Sequence, residues 1–171
     1  MNRRNILSLT AGSTLGLALL SGGAAIAQQK TLKDQLVGTW IFIGSTGKLA
    51  DGSPVYGTNP KGQNIFEANS SYSNMLMRSD IPKYASGNRL ITTPEENKTT
   101  VQGVIATYGT YTVNEADRSY TVHVEGSSFP NWNGTDQKRT VASITADELK
   151  INNPGPSISG PPTVLTYRRA K

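Results

Sequence analysis

From Val37 onward the chain is written in short runs where side chains alternate between apolar or aromatic and polar, and each run ends at Gly, Asn, Asp or Pro. Period-two alternation broken by such residues every ten residues or so, as here, predicts strands joined by turns. Val37-Gly38-Thr39-Trp40-Ile41-Phe42-Ile43-Gly44 opens the series as a β-branched and aromatic strand. Ala50-Asp51-Gly52 signals a turn, because Asp-Gly readily adopts the positive φ that tight turns need, and strands are expected around 53–56 and 62–67. After Asn69-Ser70, the run 72–78 places Tyr72, Asn74, Leu76 and Arg78 on one face and Ser73, Met75 and Met77 on the other. Neither face is cleanly polar. That suits a barrel strand whose inner side lines a mixed cavity, and equally a strand buried on both faces.

Residues 109–114 and 119–125 flank Glu115-Ala116-Asp117-Arg118, and 137–144 and 148–152 flank Thr145-Ala146-Asp147, so both pairs form hairpins. Asn153–Pro162, dense in Pro and Gly, is a loop, and Thr163–Arg169 is the closing strand. Two helix starts interrupt the pattern. Thr31 caps a single turn through Leu36, with Asp34 in the capping-box position. Thr93-Pro94-Glu95-Glu96 combines a cap, a proline at the first helical position and a glutamate that reaches back to the cap. Val101, Val104, Ile105 and Tyr108 then recur at near-helical spacing, which predicts a short helix crossing or plugging the sheet. About eight strands with one or two short helices and no internal repeat indicate an all-β antiparallel barrel or sandwich, not alternating βαβ units.

The first 27 residues follow another pattern. Arg3 and Arg4 precede an uncharged run from Ile6 to Leu20, and Ala25-Ile26-Ala27 supplies a small-x-small cleavage site. Residues 1–27 are therefore expected to be a signal peptide and 28–171 one domain, destined for the periplasm or the exterior. Arg3-Arg4-Asn5-Ile6-Leu7 resembles the twin-arginine export signal, with an ordinary secretory signal as the alternative. The chain has no cysteine, which removes disulfides, thiol nucleophiles and Cys-ligated metals and leaves packing and hydrogen bonds to hold the domain. Its net charge of +5 falls by two when Arg3 and Arg4 are cut away. The remaining basic residues are scattered, with Lys138-Arg139 and Arg168-Arg169 the only adjacent pairs, so no nucleic-acid partner is expected. No later apolar run has the length of a membrane span, so no stable membrane insertion is expected once the signal is removed.

Chemistry is concentrated in Thr107–Arg139, which holds the only histidine, His123. This stretch predicts two strands, an aromatic elbow at Phe129-Pro130-Asn131-Trp132 and a third strand, with side chains converging on one interior. Thr121, His123 and Glu125 share one face and Tyr120, Val122 and Val124 the other. A carboxylate beside an imidazole suits proton transfer, the anchoring of a ligand's polar end, or simply a satisfied polar patch. Arg139, alternating with Gln137 and Val141, is expected to reach Glu125 across the sheet. Tyr108 and Tyr111 fall on opposite faces, so at most one of them lines the interior. Phe129 and Trp132 sit where a barrel places its rim, either gating the mouth or covering the core edge. One His and no Cys leave no convincing metal set, and no Gly-x-Ser-x-Gly elbow is present. Helix capping accounts for Glu95-Glu96 better than a pair of glycosidase carboxylates does.

Taken in order, several pieces resemble the bacterial and fungal lipocalin-like domain family. They are Leu36-Val37-Gly38-Thr39-Trp40, Asp51-Gly52, Gly57-Thr58-Asn59-Pro60-Lys61-Gly62 and Asn74-Met75-Leu76-Met77-Arg78 in the first half. Thr93-Pro94-Glu95-Glu96, Tyr108-Gly109-Thr110-Tyr111, the run from His123 to Gly134 and Leu165-Thr166-Tyr167-Arg168-Arg169 complete the match. One departure is Asn69-Ser70, where such proteins tend to carry a Gly-containing turn. The resemblance implies an up-and-down β-barrel of about eight strands with a cavity for small apolar molecules. It implies no defined reaction and no cofactor. It also implies that Trp40, following Gly38, packs against an arginine of the last strand, Arg168 or Arg169.

The expected function is therefore binding of a small, partly apolar molecule inside an exported barrel. Thr121, His123, Glu125, Arg139, Tyr111, Phe129 and Trp132 are the expected contacts, with either Met75/Met77 or Tyr72/Leu76 as the apolar wall, and Gly38, Trp40 and Arg168 as structural residues. The alternatives are an isomerase or cyclase that uses His123 and Glu125 for proton transfer, and a cavity-less barrel serving as a structural or interaction module.

Overall fold

A computed structural model describes residues 30–171, and the signal peptide expected at 1–27 lies outside the described residues. Thr31 caps the first element, α1 (Leu32–Leu36), through a capping box: its hydroxyl accepts from the Asp34 N–H at 3.0 Å, and Asp34 accepts from the Thr31 N–H at 3.3 Å. Eight strands follow, β1 (Gly38–Ser45), β2 (Lys61–Phe66), β3 (Ser71–Met77), β4 (Val104–Asn114), β5 (Ser119–Ser127), β6 (Asp136–Ile144), β7 (Glu148–Asn153) and β8 (Thr163–Arg169). Each pairs antiparallel with its neighbour in the chain, and β8 returns to β1, so the sheet closes into an up-and-down barrel without a free edge.

The two ends of the barrel differ because their connections differ. At one end three tight turns, 67–70, 115–118 and 145–147, join β2 to β3, β4 to β5 and β6 to β7. Ser70 takes φ 71° in the first of these and Arg118 φ 52° in the second, the left-handed conformation that usually falls to Gly or Asn. The Asn69-Ser70 departure thus changes which residue carries the turn without changing the turn's place. Helix α1 lies under this end with Leu32 and Leu36 buried. Glu115, in the β4–β5 turn, accepts from the N–H groups of Leu32 and Lys33 at 2.7 and 3.1 Å and fastens the helix there. The four longer connections, 46–60, 78–103, 128–135 and 154–162, all leave from the opposite end, which forms the mouth.

Two expectations change. Residues 53–56 are not a strand; they lie in the β1–β2 connection, where Lys48 and Pro54 form a single antiparallel bridge. The second helix, α2 (Pro94–Gly103), starts at its predicted capping box but neither crosses nor plugs the sheet. Val101 is 74% exposed, and Val104, Ile105 and Tyr108 belong to β4, which begins as soon as α2 ends. The helical spacing came from joining one exposed helix residue to an alternating strand, a confusion that short apolar runs invite.

Aromatic side chains fill most of the interior. Phe66 meets the rings of Tyr72, Tyr111 and Tyr120 edge to face at 5.3, 5.1 and 5.1 Å between centroids. This favoured geometry adds to the burial of large apolar area and locks the closed end of the core.

Candidate functional site

Alternation along each strand decides which side chains enter the barrel. On β5 the buried tyrosine and valines are Tyr120, Val122 and Val124, alternating along the strand. Thr121, His123 and Glu125 therefore face outward, which corrects the expectation that they line the interior. His123 pairs across the sheet with Asp136, Nδ1 to Oδ1 at 2.8 Å, and both side chains are largely exposed. Glu125 does not meet Arg139, because the β5–β6 register sets Tyr120 opposite Arg139. On β3 Tyr72, Asn74 and Leu76 face inward, and Tyr72 and Leu76 supply the apolar wall; Met75 and Met77 stand on the outer face, Met75 at 42% exposure.

Tyr111 is buried but belongs to the closed end, where its hydroxyl donates to the Glu67 carbonyl at 2.9 Å and Lys33 stands 5.9 Å from its ring centre. Trp40 is also there, fully buried, its indole N–H donating to the Leu36 carbonyl at 2.8 Å. The β1–β8 register pairs Trp40 with Arg169 and Ile41 with Arg168. Arg169 is consequently the arginine over the indole, at 4.0 Å, while Arg168 points to solvent. Gly38, at φ +124°, leaves room for this guanidinium, since a Cβ there would stand 3.0 Å from Arg169 Nη1.

Of the expected contact residues, Arg139 and Trp132 are brought together. They line a narrow cavity toward the mouth. Its floor consists of strand residues, among them Tyr72, Asn74, Tyr120, Arg139 and Tyr167, and its roof of loop residues Val55, Tyr56, Trp132, Pro156, Ser157 and Ile158. The free volume is about 30 Å³, room for about two water molecules. A second recess of about 10 Å³ shares Tyr72, Asn74, Trp132 and Arg139 and reaches Thr107 and Gln137. Phe129 braces Trp132 from outside the cavity, edge to face at 5.7 Å.

Arg139 is 8% exposed. Its guanidinium lies 5.6 Å from the Trp132 ring centre and Nη1 donates to the Gln137 carbonyl at 3.4 Å. Among the described residues no carboxylate forms an ion pair with it, and none lines either space. Four tyrosines surround this charge. Burial pushes the Tyr56 hydroxyl up to about 12, raises that of Tyr72 and carries those of Tyr120 and Tyr167 well above the usual value, while the Arg139 charge works against the shift at all four. All four are therefore neutral hydroxyls at physiological pH. Asn64 lies near enough to perturb Tyr72, Tyr120 and Tyr167, yet its Oδ1, the Asn74 Oδ1 and the Tyr120 hydroxyl complete no hydrogen bond of normal geometry with another described residue.

Tyr120, Tyr167, Tyr56 and Asn74 were not among the expected contacts. Tyr120 and Tyr167 carry a legible signal, since each alternates with apolar residues, Val122 and Val124 in one case and Leu165 in the other. Tyr56 comes from a loop folded over the mouth, and no periodicity announces it.

A closed eight-stranded antiparallel barrel, capped by a helix at one end and holding a side-chain-lined recess at the other, is the architecture of a lipocalin-like protein. Residues 37–170 match the lipocalin-like domain family, and the chain belongs to it. Among solved structures it is similar to a lipocalin-like protein from Bacteroides uniformis ATCC 8492, with 13% identity and a TM-score of 0.45 over 80% of this chain and 99% of that one. No curated protein matches the chain. No helix among the described residues is long and apolar enough to cross a membrane.

Proposed function

We propose that the protein binds a small, partly apolar molecule in the cavity at the mouth of the barrel. The observation that carries this reading is the division of the cavity wall: a floor of strand residues with a few polar groups, under a roof made of loops. Ligand sites combine apolar lining with a small number of placed polar groups, and loops are the part of a barrel that moves. An occupant larger than about two waters enters by lifting the roof, chiefly Trp132, Tyr56 and the 154–162 connection. The isomerase or cyclase reading draws no support, because His123 and Glu125 face away from this space.

The narrowness of the interior, about 30 Å³, favours a second reading in which the barrel is filled by its own side chains and serves as a structural or interaction module. Native mass spectrometry of the protein taken from its own compartment, joined to titration with a panel of lipophilic fluorophores, separates the two. Ligand binding predicts a co-purified mass or one saturable site. A bare protein that takes up no fluorophore supports the filled barrel.

The same proposal places the protein in the periplasm or outside the cell, with residues 1–27 as its export signal. The support is the charge and hydropathy pattern of that segment. Sequencing of the mature N-terminus is expected to start at Gln28; a retained Met1 would remove this part of the proposal.

A further inference from the structure

Arg139 is the only charged side chain among the described residues that line the cavity, and none of the described residues balances it with an ion pair. Buried charges are ordinarily paired or ligating, because moving one out of water without compensation is costly. Here five guanidinium N–H donors meet one carbonyl, that of Gln137, at 3.4 Å. The Trp132 ring orients the group without neutralising it. On the adjacent strand, in direct register across the β5–β6 pair, Tyr120 is wholly buried, and its hydroxyl, though Asn64 and Tyr72 lie near it, completes no hydrogen bond of normal geometry with another described residue. A cation and a neutral hydroxyl held on adjacent strands, under a roof made of loop residues, form a receptor for an anion.

We propose that Arg139 anchors the carboxylate of an otherwise apolar ligand, with the Tyr120 hydroxyl as a second donor. The inference rests on the cavity being a ligand site and specifies which chemistry it takes. A carboxylate is planar and presents two oxygens to the guanidinium fork. As a monoanion it balances one buried cation, whereas a phosphate dianion would replace an unpaired positive charge by an unpaired negative one. The ligand's chain then runs from Arg139 toward the apolar roof, past Leu76, Ile105 and Leu165 to Val55 and Ile158.

Calorimetric titration of the protein, residues 28–171, with decanoate and with methyl decanoate tests this. The wild type is expected to bind the acid at least about tenfold more tightly than the ester, and Arg139→Met to lose that gap while keeping ester affinity. Equal affinities in the wild type would overturn the anion anchor and leave the cavity reading standing. Binding of neither probe would remove the cavity reading for long chains. The anchor is then decided by thermal unfolding in butyrate against sodium chloride at matched ionic strength: a rise in Tm confined to the wild type supports it, and no rise overturns it. A purely structural role is separated by stability, since Arg139→Met is expected to unfold at or above the wild-type temperature, an unpaired buried charge having been removed. If that variant does not fold, Tyr120→Phe decides, with loss of acid affinity at constant ester affinity supporting the site and no change in either overturning it.

Discussion

The guanidinium of Arg169 stacks on the ring of Trp40 at 4.0 Å and, in the same position, donates to the carbonyls of Gln35, Val37 and Ala146 at 2.7, 3.0 and 2.8 Å. One side chain from the last strand thus ties α1, the start of β1 and the β6–β7 turn together. Removing it leaves three carbonyls without their donor and an indole face without its cover. Arg169→Ala is expected to lower stability by about 2 kcal/mol or more. Arg169→Lys recovers only part of this, because an ammonium cannot reproduce the fork. Arg168→Ala, on the solvent side of the same strand, stays within about 0.5 kcal/mol. Urea midpoints of the three variants check the ranking.

Glycines at close backbone approaches give a second contrast. A Cβ on Gly109 would stand 2.0 Å from the His123 carbonyl oxygen, and one on Gly62, at φ +138°, 1.9 Å from that of Met75, whereas a Cβ on Gly44 meets nothing within 4 Å. Gly109 follows the register shift between β4 and β5, where a bulge brings the two backbones together. Gly109→Ala and Gly62→Ala are each expected to cost about 3 kcal/mol, and Gly44→Ala less than about 0.5 kcal/mol, read as shifts of the chemical unfolding midpoint.

How far the sequence itself reaches is visible in these residues. Most strand places, the turns and both capping boxes were legible because they depend on local chemistry: Thr31 with Asp34, Thr93 with Glu96, the polar turns at 115–118 and 145–147; the strand expected at 53–56 was the exception. The order of strands around the barrel followed from the family resemblance. What alternation could not supply was the sign of each face. On β5 the titratable pair His123 and Glu125 drew the site to the outer face, while the inner face held Tyr120 beside two valines. On β8 a one-residue choice between Arg168 and Arg169 depended on a register that only the closed sheet sets. Arg139 was named, but its partner was expected to be Glu125; the register places Tyr120 there instead, and the missing carboxylate is what gives the residue its meaning.

The buried tyrosines make the barrel sensitive to alkali. Each holds its proton in the folded state beyond the pH at which an unfolded tyrosine, near 10, releases it. Their contribution to stability is complete below pH 10 and is lost as pH rises through the folded values, for Tyr56 over the window from 10 to about 12. Circular dichroism and phenolate absorbance are expected to change together in that range. Ionisation of all four well before the loss of structure would contradict their burial.

His123 predicts the opposite of a site residue. Its hydrogen-bond partner Asp136 and the ring itself are solvent-facing, and exposed polar pairs contribute about 1 kcal/mol or less. His123→Ala is expected to change stability by no more than that and to leave the affinity for any lipophilic probe unaltered. A fall in affinity with the fold intact would return the site to the outer face of β5.

Finally, β1 begins and β8 ends at the helix-capped end, where the Ala170 N–H donates to the Thr39 carbonyl at 2.9 Å. The segments that lead into and out of the barrel therefore depart side by side, on the side away from the mouth. A fluorescent label, a surface tether or a fused domain joined at either flank would hang below the barrel and leave the rim clear, so the protein can be immobilised by its base and presented mouth outward.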